Sequence, residues 1–119
     1  MTIHDIQQIL DARWIYGEEL ADREVHTACG SDMMSDVLAF VKDQSVLLTG
    51  LVNPQVVRTA EMMDMVCIVF VRGKTPDENI TALARRGEIA LLCTDERMFT
   101  ACGKLYAAGL SGGVGERLS

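Results

Sequence analysis

Aromatic side chains are scarce in this chain, at 5% of 119 residues, and cations are outnumbered, 11 Lys and Arg against 17 Asp and Glu. Proteins that track a phosphate backbone draw on clustered Lys and Arg, so a net charge of −6 argues against nucleic acid as a partner. No apolar run approaches membrane-spanning length, so no membrane partner is expected. The opening Met1-Thr2-Ile3-His4-Asp5 has neither the basic segment nor the apolar core of an export signal, which points to the cytoplasm. Cys29, Cys67, Cys93 and Cys102 stand singly, without a Cys-x-x-Cys pair, and are expected as free thiols.

Catalytic spacings are missing as well. There is no Gly-x-Ser-x-Gly elbow, no His-Glu-x-x-His pair and no Gly-x-Gly-x-x-Gly at a strand-to-helix turn. Gly73-Lys74-Thr75 ends like a phosphate loop, but that loop requires a glycine five positions earlier, where Ile68 stands inside an apolar run. His4 and His26 are the only imidazoles available to an acid or base. These gaps favour a protein that is not an enzyme and needs no cofactor.

What is present is a large supply of core-forming residues, 49% hydrophobic, in a length that suits one domain. Ile3, Ile6, Ile9 and Leu10 recur at helical spacing and predict a helix over 2–12, followed by a strand at Arg13–Tyr16 and a turn or short helix around Glu18–Asp22. Val25–Cys29 reads as a strand. Ser31-Asp32 can cap a helix reaching about Lys42, with Met34, Val37, Leu38 and Val41 on one face. Ser45–Thr49 is a short strand, Gly50 allows a turn, and Asn53-Pro54 supplies a cap and a first-turn proline for a helix to about Met63.

Met65–Val71 is continuously apolar, as a strand covered on both faces should be, and marks the centre of the sheet. Thr75-Pro76-Asp77-Glu78 combines a cap at Thr75, a first-turn proline and two acids, opening a helix that ends at Arg85-Arg86-Gly87. Ile89–Cys93 is a further strand, and Thr94-Asp95 can cap a last helix, roughly Arg97–Ala108, stopped by Gly109. Residues 1–110 thus form a single domain, and the glycine-rich segment Ser111–Ser119 is expected to be mobile.

Strands alternating with helices predict a three-layer α/β/α fold with a mainly parallel sheet of four to five strands. Ligands of such folds sit at the carboxyl ends of the strands, here Gly30-Ser31-Asp32, Thr49-Gly50 to Asn53, Arg72-Gly73-Lys74-Thr75 and Thr94-Asp95. Their hydroxyls, glycines and helix-opening amides suit an anion or a nucleotide phosphate, although the same residue types also cap helices. Thr-Ala-Cys-Gly occurs twice, at Thr27–Gly30 and Thr100–Gly103, so Thr27 and Thr100 join the candidate ligand residues if both copies contribute to one site.

An alternative gives Cys29 and Cys102, with His26, a metal-binding or redox role. Cys67 and Cys93 read as core thiols, and Met33, Met34, Met62, Met63, Met65 and Met98 as core or adaptable surface. Asp22-Arg23-Glu24 fits a surface charge cluster or an interface equally well.

The order Glu18-Glu19-Leu20, Asp22-Arg23-Glu24-Val25, Leu47-Leu48-Thr49-Gly50, Thr59-Ala60, Pro76-Asp77-Glu78, Leu91-Leu92-Cys93-Thr94 and Met98-Phe99-Thr100-Ala101 resembles the DRTGG domain, from about Leu10 to Leu110. The literal Asp-Arg-Thr-Gly-Gly string is absent, and Leu48-Thr49-Gly50-Leu51-Val52-Asn53 stands where it would fall. The resemblance implies a fold similar to the N-terminal domain of HPr kinase. It also implies a regulatory or oligomerising module, of the kind attached to phosphotransacetylases and regulated pyrophosphatases, with an accessory role beside iron hydrogenase or other redox proteins. The combined expectation is a non-catalytic homodimer or larger assembly that binds a small anionic ligand, a partner enzyme, or both. A purely structural subunit of a redox complex is a further alternative.

Overall fold

A computed structural model describes residues 1–40 and 43–113. Its elements follow in the order α1 (Ile3–Leu10), β1 (Arg13–Tyr16), a 3-10 turn (Glu18–Leu20), β2 (Thr27–Gly30), α2 (Met34–Leu38), β3 (Ser45–Thr49), α3 (Pro54–Met62), β4 (Cys67–Phe70), α4 (Glu78–Gly87), β5 (Ala90–Cys93) and α5 (Met98–Ala107). One five-stranded sheet runs β1-β5-β4-β3-β2. The ladders from β2 to β5 are parallel, and β1 pairs with β5 antiparallel, Arg13 opposite Cys93. Each parallel step is made by a helix, because two parallel neighbours need a crossover rather than a hairpin.

Strand β4 is the centre that its apolar run predicts, and every residue of Cys67–Phe70 is buried. Successive side chains along it alternate between faces. Cys67 and Val69 join Val46, Leu48, Ala90 and Leu92 beneath α1 and α5, through Ile3, Ile6, Leu10, Ala101 and Leu105. Ile68 and Phe70 join Leu47 and Leu91 beneath α2, α3 and α4, through Val37, Val56, Val57, Ala60, Ile80 and Ala84. Burying each Val, Leu, Ile or Phe among them is worth about 1.5–3 kcal/mol relative to leaving it in water. Gly17, at φ 101°, carries the chain out of β1 so closely over β5 that a Cβ there would lie 2.8 Å from the Ala90 Cα, which no side chain permits.

Several local expectations change. The second strand starts at Thr27, since the amides of Val25 and His26 donate to Met1 and Gln44 outside the ladder. Asp77, rather than Thr75, caps α4 by accepting from the Ile80 amide at 2.9 Å. That helix continues through Gly87 and ends on Glu88, left-handed at φ 55°. Neither Ser31-Asp32 nor Thr94-Asp95 caps a helix: α2 and α5 open on Met33 and Arg97, without side-chain caps, as Asp32 bonds to the end of β3 and Thr94 to Leu10. Asn53 and Pro54 do open α3 as expected, with Asn53 Oδ1 accepting from the Val56 amide at 3.3 Å.

The predicted helix residues Val41 and Lys42, and positions 114–119 of the glycine-rich segment, lie outside the described residues. The start of that segment is tied down: the Ser111 carbonyl accepts from the Ala28 amide at 2.9 Å, forming a parallel bridge on the outer edge of β2.

Thr59 of α3 is fully buried, and its hydroxyl has no hydrogen-bond partner among the described residues. Valine has the same shape without the polar group, so Thr59→Val is expected to raise unfolding stability by about 1 kcal/mol in urea denaturation. A loss of stability of similar size would mean that the hydroxyl is satisfied.

Candidate functional site

Four parallel strands, β2 to β5, end at one edge of the sheet, and most of the predicted site residues meet there. The loops leaving these strands are bonded in pairs. Asp32 Oδ1, from the loop after β2, accepts from the Gly50 amide at 2.6 Å and from the Thr49 hydroxyl at 3.0 Å, both at the end of β3. The Thr49 oxygen in turn accepts from the Leu51 amide at 3.1 Å, and the Ser31 amide donates to the Leu48 carbonyl at 3.0 Å. Carboxylate acceptance from a backbone amide is a short, charge-assisted bond, so Asp32 is a clasp between two loops.

The loops after β4 and β5 are joined by their backbones. The Arg72 amide donates to the Glu96 carbonyl at 2.8 Å and the Gly73 amide to the Thr94 carbonyl at 2.9 Å. Arg72 itself is left-handed, at φ 60°. Non-glycine residues rarely adopt this conformation, and here it turns the side chain back across the edge. Its guanidinium lies on Gly50, so tightly that a Cβ on Gly50 would overlap it. Arg72 is exposed and has no carboxylate partner among the described residues. Glycine at position 50 is what leaves room for the guanidinium beside the Asp32 clasp.

The far side of the same edge holds Arg13, which local sequence reading missed. Because β1 runs antiparallel, its first residue stands beside the last residue of β5. Arg13 Nη2 donates to Cys93 Sγ at 3.1 Å, the Cys93 thiol donates to the Lys74 carbonyl at 2.9 Å, and Arg13 Nη1 lies 3.5 Å from exposed Asp95. Cys93 therefore ties three segments together rather than only filling the core. Burial raises its pKa, more than the neighbouring Arg13 lowers it.

Other predicted residues are placed differently. Thr94 is buried and its hydroxyl donates to the Leu10 carbonyl at 2.9 Å, fastening α1 to the sheet. Thr27 stands at the opposite, amino end of β2, where its hydroxyl shares a 2.6 Å hydrogen bond with Ser45. Thr100 is exposed on α5. The two Thr-Ala-Cys-Gly segments do touch, but through other residues: a Cβ on Gly30 would lie 2.6 Å from Cys102 Sγ and 3.4 Å from Met98 Sδ. A cavity of about 190 Å³ adjoins this contact, lined by Gly30, Leu48, Cys102, Leu105, Tyr106 and Leu110 among others.

The cysteine alternative finds no assembled site. Cys29 packs against the α2–α4 face of the sheet and Cys102 against the α1–α5 face. His26 precedes β2 and pairs through Nδ1 with Asp43 at 3.0 Å, which holds the Asp43 carboxyl below its ordinary range. Among the described residues no three His, Cys, Asp or Glu side chains are gathered as metal ligands. Burial raises the pKa of both Cys29 and Cys102, the reverse of what a reactive thiolate requires. At the opposite edge of the sheet a cavity of about 380 Å³ is lined by Arg23 but also by Glu61, Asp64 and Glu88, a carboxylate surface that repels anions. Among the described residues no helix is long and apolar enough to cross a membrane.

Comparison with known proteins fits this architecture. A family model described as the DRTGG domain matches residues 5–108. None of the curated proteins matches the sequence. Among solved structures, the CBS and DRTGG domains of the regulatory region of a Clostridium perfringens pyrophosphatase, complexed with the activator diadenosine tetraphosphate, are similar at a TM-score of 0.68 and 17% identity. The match covers 87% of this chain and 45% of that one, so this chain spans less than half of the regulatory region it resembles.

Removing the Asp32 carboxylate leaves the Gly50 amide and Thr49 hydroxyl without their acceptor. Asp32→Ala is expected to cost about 1–2 kcal/mol in chemical denaturation. A change below about 0.3 kcal/mol would show that the loops hold without the clasp.

Proposed function

The chain belongs to the DRTGG domain family, and we propose that it is a non-catalytic regulatory module that binds a small anionic ligand, of the nucleotide class, at the carboxyl edge of its sheet. The observation that carries this reading is Arg72, a strained, exposed guanidinium laid on Gly50 at the convergence of four loops. A backbone conformation that disfavours side chains is retained where the surroundings enforce it, and such positions cluster at ligand clamps. Arginine presents a planar fork that matches phosphate oxygens, and its guanidinium is held here against rigid backbone rather than swinging from a helix.

Around Arg72, Gly30, Ser31, Gly50, Gly73 and Asp95 shape the edge, while Asp32, Thr49 and Asn53 hold its loops in place. Thr27, Thr94 and Thr100 have no part in this ligand set. An activator nucleotide accompanies the pyrophosphatase regulatory region of similar fold, which supports nucleotides as the first ligand class to test. The module works as an oligomer and relays ligand occupancy to an enzyme. The redox partner class rests on the family resemblance alone.

Isothermal titration with diadenosine tetraphosphate, ATP, AMP and inorganic phosphate tests the reading. At least one adenine nucleotide is expected to bind, and Arg72→Ala to weaken it by about tenfold or more. Gly50→Ala separates binding from folding: Gly50 has an ordinary φ, so its new methyl meets only the far end of the Arg72 side chain, and affinity is expected to fall while stability holds. Absence of binding by all four compounds, or unchanged affinity in Arg72→Ala, would overturn the assignment.

A further inference from the structure

Helix α5 presents an outer face that has no role within the monomer. Phe99, Thr100, Gly103, Tyr106 and Ala107 are all exposed and all uncharged, in a chain where 24% of residues are charged. Phe99 is 89% exposed and Tyr106 64%, and seven residues apart they lie in line along the helix. Lys104 borders this face beside Thr100 and Ala107, and its charge is paired with Glu96 at 3.1 Å.

Gly103 stands between the two aromatic residues, and nothing lies within 4 Å of where its Cβ would be. Glycine inside a helix weakens it relative to alanine, and no contact within the chain calls for one here. A second helix crossing at that point would. On the flank of the same face lies the cavity of about 190 Å³ lined by Leu48, Cys102, Leu105, Tyr106, Ser111 and Gly112 among others. An apolar cavity of roughly 150 Å³ already admits a benzene ring.

The geometry points to this face as a two-fold interface with a second copy of the chain, α5 crossing α5 at Gly103 and Phe99 of each copy entering the cavity of the other. Two-fold contacts require a face complementary to itself, carrying both a projection and a recess. Phe99 and the cavity supply the pair. With Gly103 at the crossing, Phe99 lies four residues from the axis, about 6 Å along the helix, which in an antiparallel crossing sets it beside the partner copy's cavity mouth. Charge makes the same selection: two copies of net charge −6 repel, and an uncharged face is where they can meet. A basic partner would instead favour an acidic surface. The assignment deepens the oligomeric part of the proposed function without depending on its ligand.

Sedimentation equilibrium of the full chain from about 1 to 200 μM tests it, since a modest interface falls in that range. A monomer–dimer equilibrium is expected, with Phe99→Glu raising Kd at least ~30-fold, as loss of a buried aromatic anchor does. Because Phe99 is 89% exposed in the monomer, far-UV circular dichroism is expected to stay unchanged. Gly103→Ala separates helix propensity from association: at concentrations where the chain is monomeric Tm is expected to rise by about 4 °C, while Kd increases. Arg72→Ala is expected to leave Kd unchanged, so that failure of the ligand reading and failure of this one are distinguishable. A chain that remains monomeric to about 200 μM, or a dimer whose Kd moves less than about twofold in Phe99→Glu, overturns the assignment.

Discussion

Burial of β4 on both faces is the constraint from which the rest of the architecture follows. Cys67–Phe70 has no side exposed to water, so helices must cover the sheet above and below, and parallel neighbours must be reached by crossovers. Parallel pairing brings every strand-to-helix loop from β2 to β5 out at the same edge. The candidate site is therefore a by-product of how the core is filled. Its loops are short and end in helices that are themselves anchored by apolar stripes.

Close backbone approach then distinguishes this edge from a generic one. Gly50 leaves room for the Arg72 guanidinium, and Gly30 leaves room for the Cys102 sulfur. These two contacts sit at the ends of successive strands, β2 and β3, whose loops are joined by the Asp32 carboxylate. A series of close approaches and hydrogen bonds thus runs from helix α5 through Gly30, Asp32 and Gly50 to Arg72. The proposed ligand edge and the proposed α5 interface are linked by these contacts. Contact alone would supply only a route, and regulation would require a ligand that binds two arrangements differently.

The thiols illustrate how burial overrides composition. Four cysteines in 119 residues invite a metal or redox reading, yet Cys67 and Cys93 are fully buried and Cys29 and Cys102 lie on opposite faces of the sheet. Desolvation raises the pKa of each. Sulfur serves here as a compact apolar group that tolerates close approach to glycine, and in Cys93 as a weak hydrogen-bonding centre.

Periodicity and local chemistry were sufficient to read the alternation of elements, the central position of Met65–Val71, the Asn53-Pro54 helix start and the strand ends where loops gather. Such features depend on nearest neighbours along the chain, so the sequence alone determined them. Caps were less legible: Ser31, Asp32 and Thr94 have the chemistry of caps, but Asp32 accepts from the end of β3, Thr94 donates to Leu10 at the end of α1, and Ser31 bonds Met33 just before α2. Strand direction was not legible either, and it alone brings Arg13 beside Cys93 and Asp95. The tertiary structure also decided that Gly30 meets Cys102 while Thr27 and Thr100 stay apart, and that Arg72 folds back over Gly50. Each of these pairings joins residues far apart in sequence, and only the packing of helices against a particular sheet order fixes which of them come within contact distance.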